Sequence, residues 1–164
     1  MIRPLTSVTR RFALLAVVIA ALAALASGPV EADGFARGAL TIETSDGARH
    51  PFEIEIARTD REQGLGLMYR RVVPDGYGML FDFGEVREAN FWMRNTYVSL
   101  DILFVNADGT IHRIAKATQP LSDRLIPSRG PVRAVFEVVA GTTDRLGIRV
   151  GDVLIHEIFA NTGR

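Results

Sequence analysis

The chain of 164 residues has no cysteine, and its only lysine is Lys116. The lack of cysteine excludes disulfides, iron–sulfur clusters and thiolate zinc sites. Basic and acidic residues number 19 each, for a net charge of 0, and the basic ones are almost all arginine. No cluster of them is dense enough to neutralise a run of phosphates, which argues against a nucleic-acid partner. Phosphate loops and dinucleotide fingerprints are missing, and no G-x-S-x-G elbow surrounds Ser99, Ser122 or Ser128. There is no internal repeat and no low-complexity segment. The one long uncharged run, Phe12 to Leu25, falls short of the about 20 residues that a membrane span requires.

That run follows Arg3, Arg10 and Arg11 and precedes two small-residue sites that suit cleavage, Ala24-Leu25-Ala26 and Val30-Glu31-Ala32. A basic start, a short apolar stretch and small residues form the pattern of a secretory signal. The expectation is a signal peptide over 1–32, a loose leader over 33–38 and one domain over 39–160, exported to the periplasm or secreted. Removing Arg3, Arg10, Arg11 and Glu31 from the 19 basic and 19 acidic residues leaves 16 and 18, a net charge of −2. Roughly 130 residues bury an adequate core without covalent staples. A monomer with no stable membrane span after cleavage, and with no cofactor, is expected.

The domain reads as many short strands separated by turns. Ala39–Glu43 and His50–Ile56 flank Ser45-Asp46-Gly47, with Phe52, Ile54 and Ile56 alternating against Glu53 and Glu55, as in a hairpin with one wet face. Thr59 and Glu62 form a capping box for a short helix to about Met68. Gly64 and Gly66 weaken that helix and suggest close backbone approach. Strands follow at Gly78–Phe83 and Ala89–Arg94, with a polar connection over 84–88. Leu100–Val105 is apolar on both faces apart from Asp101, and Arg133–Val139 apart from Glu137, so both strands are predicted to be central and covered on both sides. A hairpin turn at Asn106–Gly109 leads to a strand over 110–117. Gln119–Pro131, with three prolines, reads as a long loop. One helical turn starts at Thr142, and a final strand runs over 153–159. The fold class is mainly β: a compact single-domain sandwich or barrel-like sheet with one or two short helices.

The unusual residues concentrate between Gly64 and Val105. Met68, Met79 and Met93 lie there, as does the only tryptophan, Trp92. Among them are polar residues that are costly to bury: Arg70, Arg94, Asn95, Thr96 and Asp101. Arg70, Arg94 and Arg133 are the expected partners of the isolated carboxylates Asp101 and Glu137. In the strand over 89–94, Phe91 and Met93 share one face and Asn90, Trp92 and Arg94 the other. If the first pair is core, Trp92 stands on a wet face or in a cleft beside polar groups. Arg70, Trp92, Arg94, Asn95, Thr96 and Asp101 are therefore the expected ligand-binding set, with Glu137 structural or an acid.

Three runs, Gly66-Leu67-Met68 with Arg70, Gly78-Met79-Leu80-Phe81, and Phe91-Trp92-Met93-Arg94-Asn95-Thr96 followed by Leu100-Asp101, resemble the family known as domain of unknown function 192. The resemblance covers about residues 40–159. Ser99 stands where that family often has proline. It implies a compact, mainly-β, often exported domain and no particular reaction.

The chemistry therefore rests on the residues. The favoured expectation is a non-enzymatic binding module for a small anionic or sugar-like envelope ligand or a partner segment. A hydrolase using Asp101 and Glu137 as acid and base is an alternative if both face one cleft. A Cu(I) protein using Met68, Met79 and Met93, with His112 able to complete the site, is another.

Overall fold

The computed structural model describes residues 34–163. The signal peptide and its cleavage sites lie outside the described residues. The first strand, β1 (Ala36–Glu43), pairs antiparallel with β2 (Arg49–Ala57), with Leu40 opposite Phe52 and Ala36 opposite Ile56. The strand thus starts three residues before Ala39, inside the expected leader, because Ala36 to Gly38 find backbone partners in β2. Helix α1 (Asp60–Leu65) has both halves of the capping box: Thr59 accepts from the Glu62 amide, and Glu62 accepts from the Thr59 amide. The crossover through α1 makes β2 and β3 (Tyr77–Phe91) parallel, since parallel neighbours need such a connection.

The strands expected over 78–83 and 89–94 belong to one strand as far as Phe91. Its pairing with β6 (Ile126–Val139) shifts register between Asp82 and Arg87. Gly84, at φ 74°, forms the irregularity, and the Asp82 carboxylate holds its amide at 3.0 Å. A bulge therefore bends the strand without ending it. The expected loop over 119–131 is likewise shorter, because Ile126 to Pro131 pair with the far half of β3. Pro127 and Pro131 are tolerated there in a two-stranded ribbon at the sheet's margin.

The remaining strands are β4 (Leu100–Val105), β5 (Ile111–Ala115) and β7 (Val153–Ile155), with a short helix α2 (Thr142–Arg145) and a 3₁₀ turn (Glu157–Phe159). Sheet order is β5-β4-β6-β3-β2-β1-β7. The Ile111 amide donates to Asp152 O and the Leu154 amide to Gly109 O, each at 2.8 Å, and Thr110 bridges Val153. The two margins thus meet, and the sheet is a nearly closed seven-stranded barrel. The Ser99 hydroxyl, at the start of β4, donates to Thr118 O at 2.8 Å, fixing the approach that a proline would otherwise stiffen.

Apolar residues form two clusters on opposite sides of the central strands. Leu103, Val105, Ala134, Phe136 and Val138 join Leu40, Ile54, Leu80 and Leu154 in one. Ile102, Phe104 and Val135 join Leu67, Met79, Phe81 and Met93 in the other. This explains why β4 and the second half of β6 read as apolar on both faces. Gly78 shows how tightly β3 and β6 pack. A Cβ there would lie 2.5 Å from the Phe136 ring and 2.6 Å from Glu137 O. Gly78→Ala is expected to destabilise the fold by about 3 kcal/mol or more, since neither obstacle is a flexible chain end. Chemical denaturation measures this.

Candidate functional site

The cluster that holds Leu67, Met79, Phe81 and Met93, the outer cluster, is open beside α1. Between α1, the segment after it and the bent half of β3 lies a cavity of about 230 Å³. Its apolar walls are Leu67, Met68, Phe81, Phe83 and Phe91, with Trp92 at the margin. The Phe81 and Phe91 rings meet edge to face, their centroids 5.0 Å apart. Gln63, Arg87, Asn90, Thr96 and Glu137 supply its polar side chains. Gly66 brings the chain close to this wall: a Cβ there would lie 3.0 Å from the Phe81 ring, and its φ is 47°. Arg87 stacks on Phe83, its guanidinium carbon 4.0 Å from the ring centroid, and donates to the Gln63 amide oxygen at 3.3 Å.

Glu137 is the singular member. It is 4% exposed, and its carboxyl has no hydrogen-bond or ionic partner among the described residues. Burial pushes its pKa up to about 8, so the acid is largely neutral at pH 7. A buried acid without a partner costs stability, and here it lines a cavity rather than sealed packing.

The predicted set divides. Trp92, Thr96 and Glu137 line the cavity. Arg94 adjoins it by stacking on Trp92, with its guanidinium carbon 4.3 Å from the ring, while its Nε donates to Asp123 at 2.6 Å. Burial follows the expected parity: Ala89 and Met93 are buried, Phe91 is half-buried, and Asn90, Trp92 and Arg94 are exposed, Trp92 by 41%. Asn95, at φ 55°, donates to the Tyr69 hydroxyl at 2.9 Å. Arg70 is elsewhere, paired with Glu55 and bonded to the Tyr77 hydroxyl at 3.0 Å.

Asp101 is also elsewhere. Its Oδ1 accepts the Ala117 amide at 2.9 Å. Its Oδ2 accepts the Gly141 amide at 3.1 Å, the Thr143 amide at 3.0 Å and the Thr143 hydroxyl at 2.7 Å. In the β4–β6 register Asp101 faces Val138, and Ile102 faces Glu137. Directly opposed residues share a face, so the two carboxyls lie on opposite faces of the sheet and share no cleft. The expected arginine partners of these acids are also not realised. Arg70 takes Glu55, Arg94 takes Asp123 and Arg133 takes Asp82. Met79 and Met93 are fully buried in the outer cluster, and the Met93 sulfur accepts the Thr118 hydroxyl at 3.1 Å.

Sequence reasoning missed Gln63, Phe83, Arg87 and Asn90 as lining residues. The bulge after Asp82 breaks the period-two alternation that would have connected Phe83, Arg87 and Asn90, and Gln63 reaches the cavity from α1.

Residues 41–156 match the model of DUF192, described as Uncharacterized ACR. The chain belongs to the DUF192 family. Two solved structures resemble this DUF192 domain. One, from Sinorhizobium meliloti 1021 and named as a candidate transcription regulator, is 43% identical with a TM-score of 0.74, covering 75% of this chain and 95% of that one. The other, a protein of unknown function from Novosphingobium aromaticivorans DSM 12444, is 40% identical with a TM-score of 0.71, covering 79% and 90%. No curated protein matches the chain. Among the described residues no helix is long and apolar enough to cross a membrane.

Proposed function

We propose that this DUF192 domain is a non-enzymatic binding module whose cavity at Glu137 takes a small sugar-like ligand. The observation that carries the reading is a nearly buried carboxyl, without a protein partner, lining an aromatic-walled cavity. Sugars present apolar ring faces and a rim of hydroxyls. The faces suit Phe83, Phe91 and Trp92. The hydroxyls suit Gln63, Asn90, Thr96 and Glu137, and they satisfy Glu137 whether it donates or accepts. A strongly anionic ligand fits less well. Among the described residues Arg87 is the one cation lining the cavity, and Glu137 would repel an anion once ionised. Acid–base hydrolysis by Asp101 and Glu137 is disfavoured by their placement on opposite faces. Export of the mature domain, part of the same proposal, would set the ligand among envelope glycans.

Trp92 is the only tryptophan, so its emission reports on the cavity margin. Titration with hexoses and N-acetylhexosamines is expected to change that emission saturably. Phe83→Ala, at a half-buried wall position, is expected to weaken binding about tenfold, the order of one lost stacking contact, while unfolding remains cooperative. Emission unmoved by every saccharide would overturn the reading.

A further inference from the structure

The molecule has a second cleft, on the far margin of the sheet, with a different character. It lies between β5 and the segment from Thr118 to Arg129 and has a volume of about 460 Å³. Arg113, Lys116, Arg124 and Arg129 line it, and among the described residues no carboxylate does. Lys116 is paired with Asp144. The arginines are not so compensated. Arg113 is half-buried, donating to Pro127 O at 2.7 Å and lying 5.2 Å from the Phe104 ring centroid. Burial pushes its pKa down, and the like charge of Arg129 pushes it further. Arg124 and Arg129 are exposed, and neither side chain has a carboxylate partner among the described residues. Arg129 is held at φ 59°, and Ala117, where the connection from β5 begins, at φ 47°. Such conformations are uncommon outside glycine and persist only where surrounding structure enforces them. The fold thus brings Arg113, Arg124 and Arg129 to one cleft with no carboxylate partner for any of the three among the described residues.

We propose that this cleft is a phosphate-binding site, in which Arg113, Arg124 and Arg129 grip a phosphate group of a soluble ester or of an anionic lipid. Guanidinium groups match phosphate oxygens in pairs. Leu125 is exposed and Ile126 half-buried in the same wall, which gives an attached apolar portion a surface to lie on. The site is independent of the Glu137 cavity and stands whether or not that cavity binds sugar.

Inorganic pyrophosphate is the first probe, titrated by calorimetry at low ionic strength, with sedimentation of phosphatidylglycerol and phosphatidylcholine vesicles beside it. Saturable binding of pyrophosphate is expected, weakened about tenfold by Arg129→Asn, of the order of one lost charge-assisted contact, and weakened again by Arg124→Gln. Asparagine tolerates the left-handed backbone, and both positions are exposed, so each variant should unfold as the parent does. Pyrophosphate binding without vesicle binding assigns a soluble ester. Binding to phosphatidylglycerol but not phosphatidylcholine vesicles, lost in the same variants, assigns a headgroup. Absence of both, or binding unchanged in both variants, overturns the proposal.

Discussion

Glu137→Gln is expected to flatten the pH dependence of stability between pH 4.5 and pH 8. The carboxyl rises from 4.5 to about 8 on folding because burial penalises its charged form. Below pH 4.5 it is protonated in both states and contributes no pH dependence. Between pH 4.5 and pH 8 the unfolded chain releases its proton while the folded chain keeps it. The folded state binds more protons there, so stability falls as pH rises, by ~1.4 kcal/mol per unit at most. Integrated over the window, the loss is about 4–5 kcal/mol, complete above the folded pKa. His156, whose pKa burial pushes below 6.5, acts in the opposite sense in part of this range. The comparison of parent with variant cancels that contribution. Urea unfolding at pH 4.5 and pH 8.5 should therefore give a difference between the two proteins that changes by this amount in favour of glutamine. Parallel profiles would mean that Glu137 is charged or partnered in the folded protein.

The second large effect is expected at Asp101. One carboxylate, 1% exposed, satisfies the amides of Ala117, Gly141 and Thr143 and the Thr143 hydroxyl. It ties the start of β4 to the start of α2 and to the start of the connection that leaves β5. Asp101→Ala leaves the buried Thr143 amide and hydroxyl, and the part-buried Ala117 and Gly141 amides, without this acceptor. Its expected cost is about 3–5 kcal/mol, a large share of a small domain's stability. Asp101→Asn keeps one acceptor oxygen and should cost less. Thr143→Val removes only the hydroxyl bond and should cost about 1–2 kcal/mol. Thermal unfolding of the three variants should therefore rank alanine, asparagine, then the Thr143 variant in decreasing damage. An alanine variant as stable as the parent would show that Asp101 is not this clamp.

Local signals were legible in the residues. The Thr59–Glu62 capping box, the Asp46-Gly47 and Asp108-Gly109 turns, and two strands apolar on both faces all sit where pattern and turn chemistry put them. The parity of residues 89–94 placed Trp92 correctly beside Arg94, since alternation in that stretch survives intact. Long-range facts were hidden. Gly84 reads as the end of a strand, yet the Asp82 side chain turns it into a bulge within one. Closure of the sheet depends on the pairing of Thr110 with Val153, residues far apart in the chain. The arginine partners could not be assigned from composition because Glu55, Asp82 and Asp123 compete for them across the fold. Asp101 and Glu137 looked alike in sequence, each a lone acid in an apolar strand. The register of β4 against β6 sends one to a ring of backbone donors and the other to an unpartnered place beside a cavity.

The most direct test of the sugar-binding claim is amide chemical-shift mapping of the mature domain against the same hexoses and N-acetylhexosamines. Saturable shifts gathered at Gln63 to Met68, at Phe83 to Trp92 and at Glu137 are the expected result. Shifts confined to the Arg113–Arg129 cleft, or no shifts with any saccharide, would contradict it.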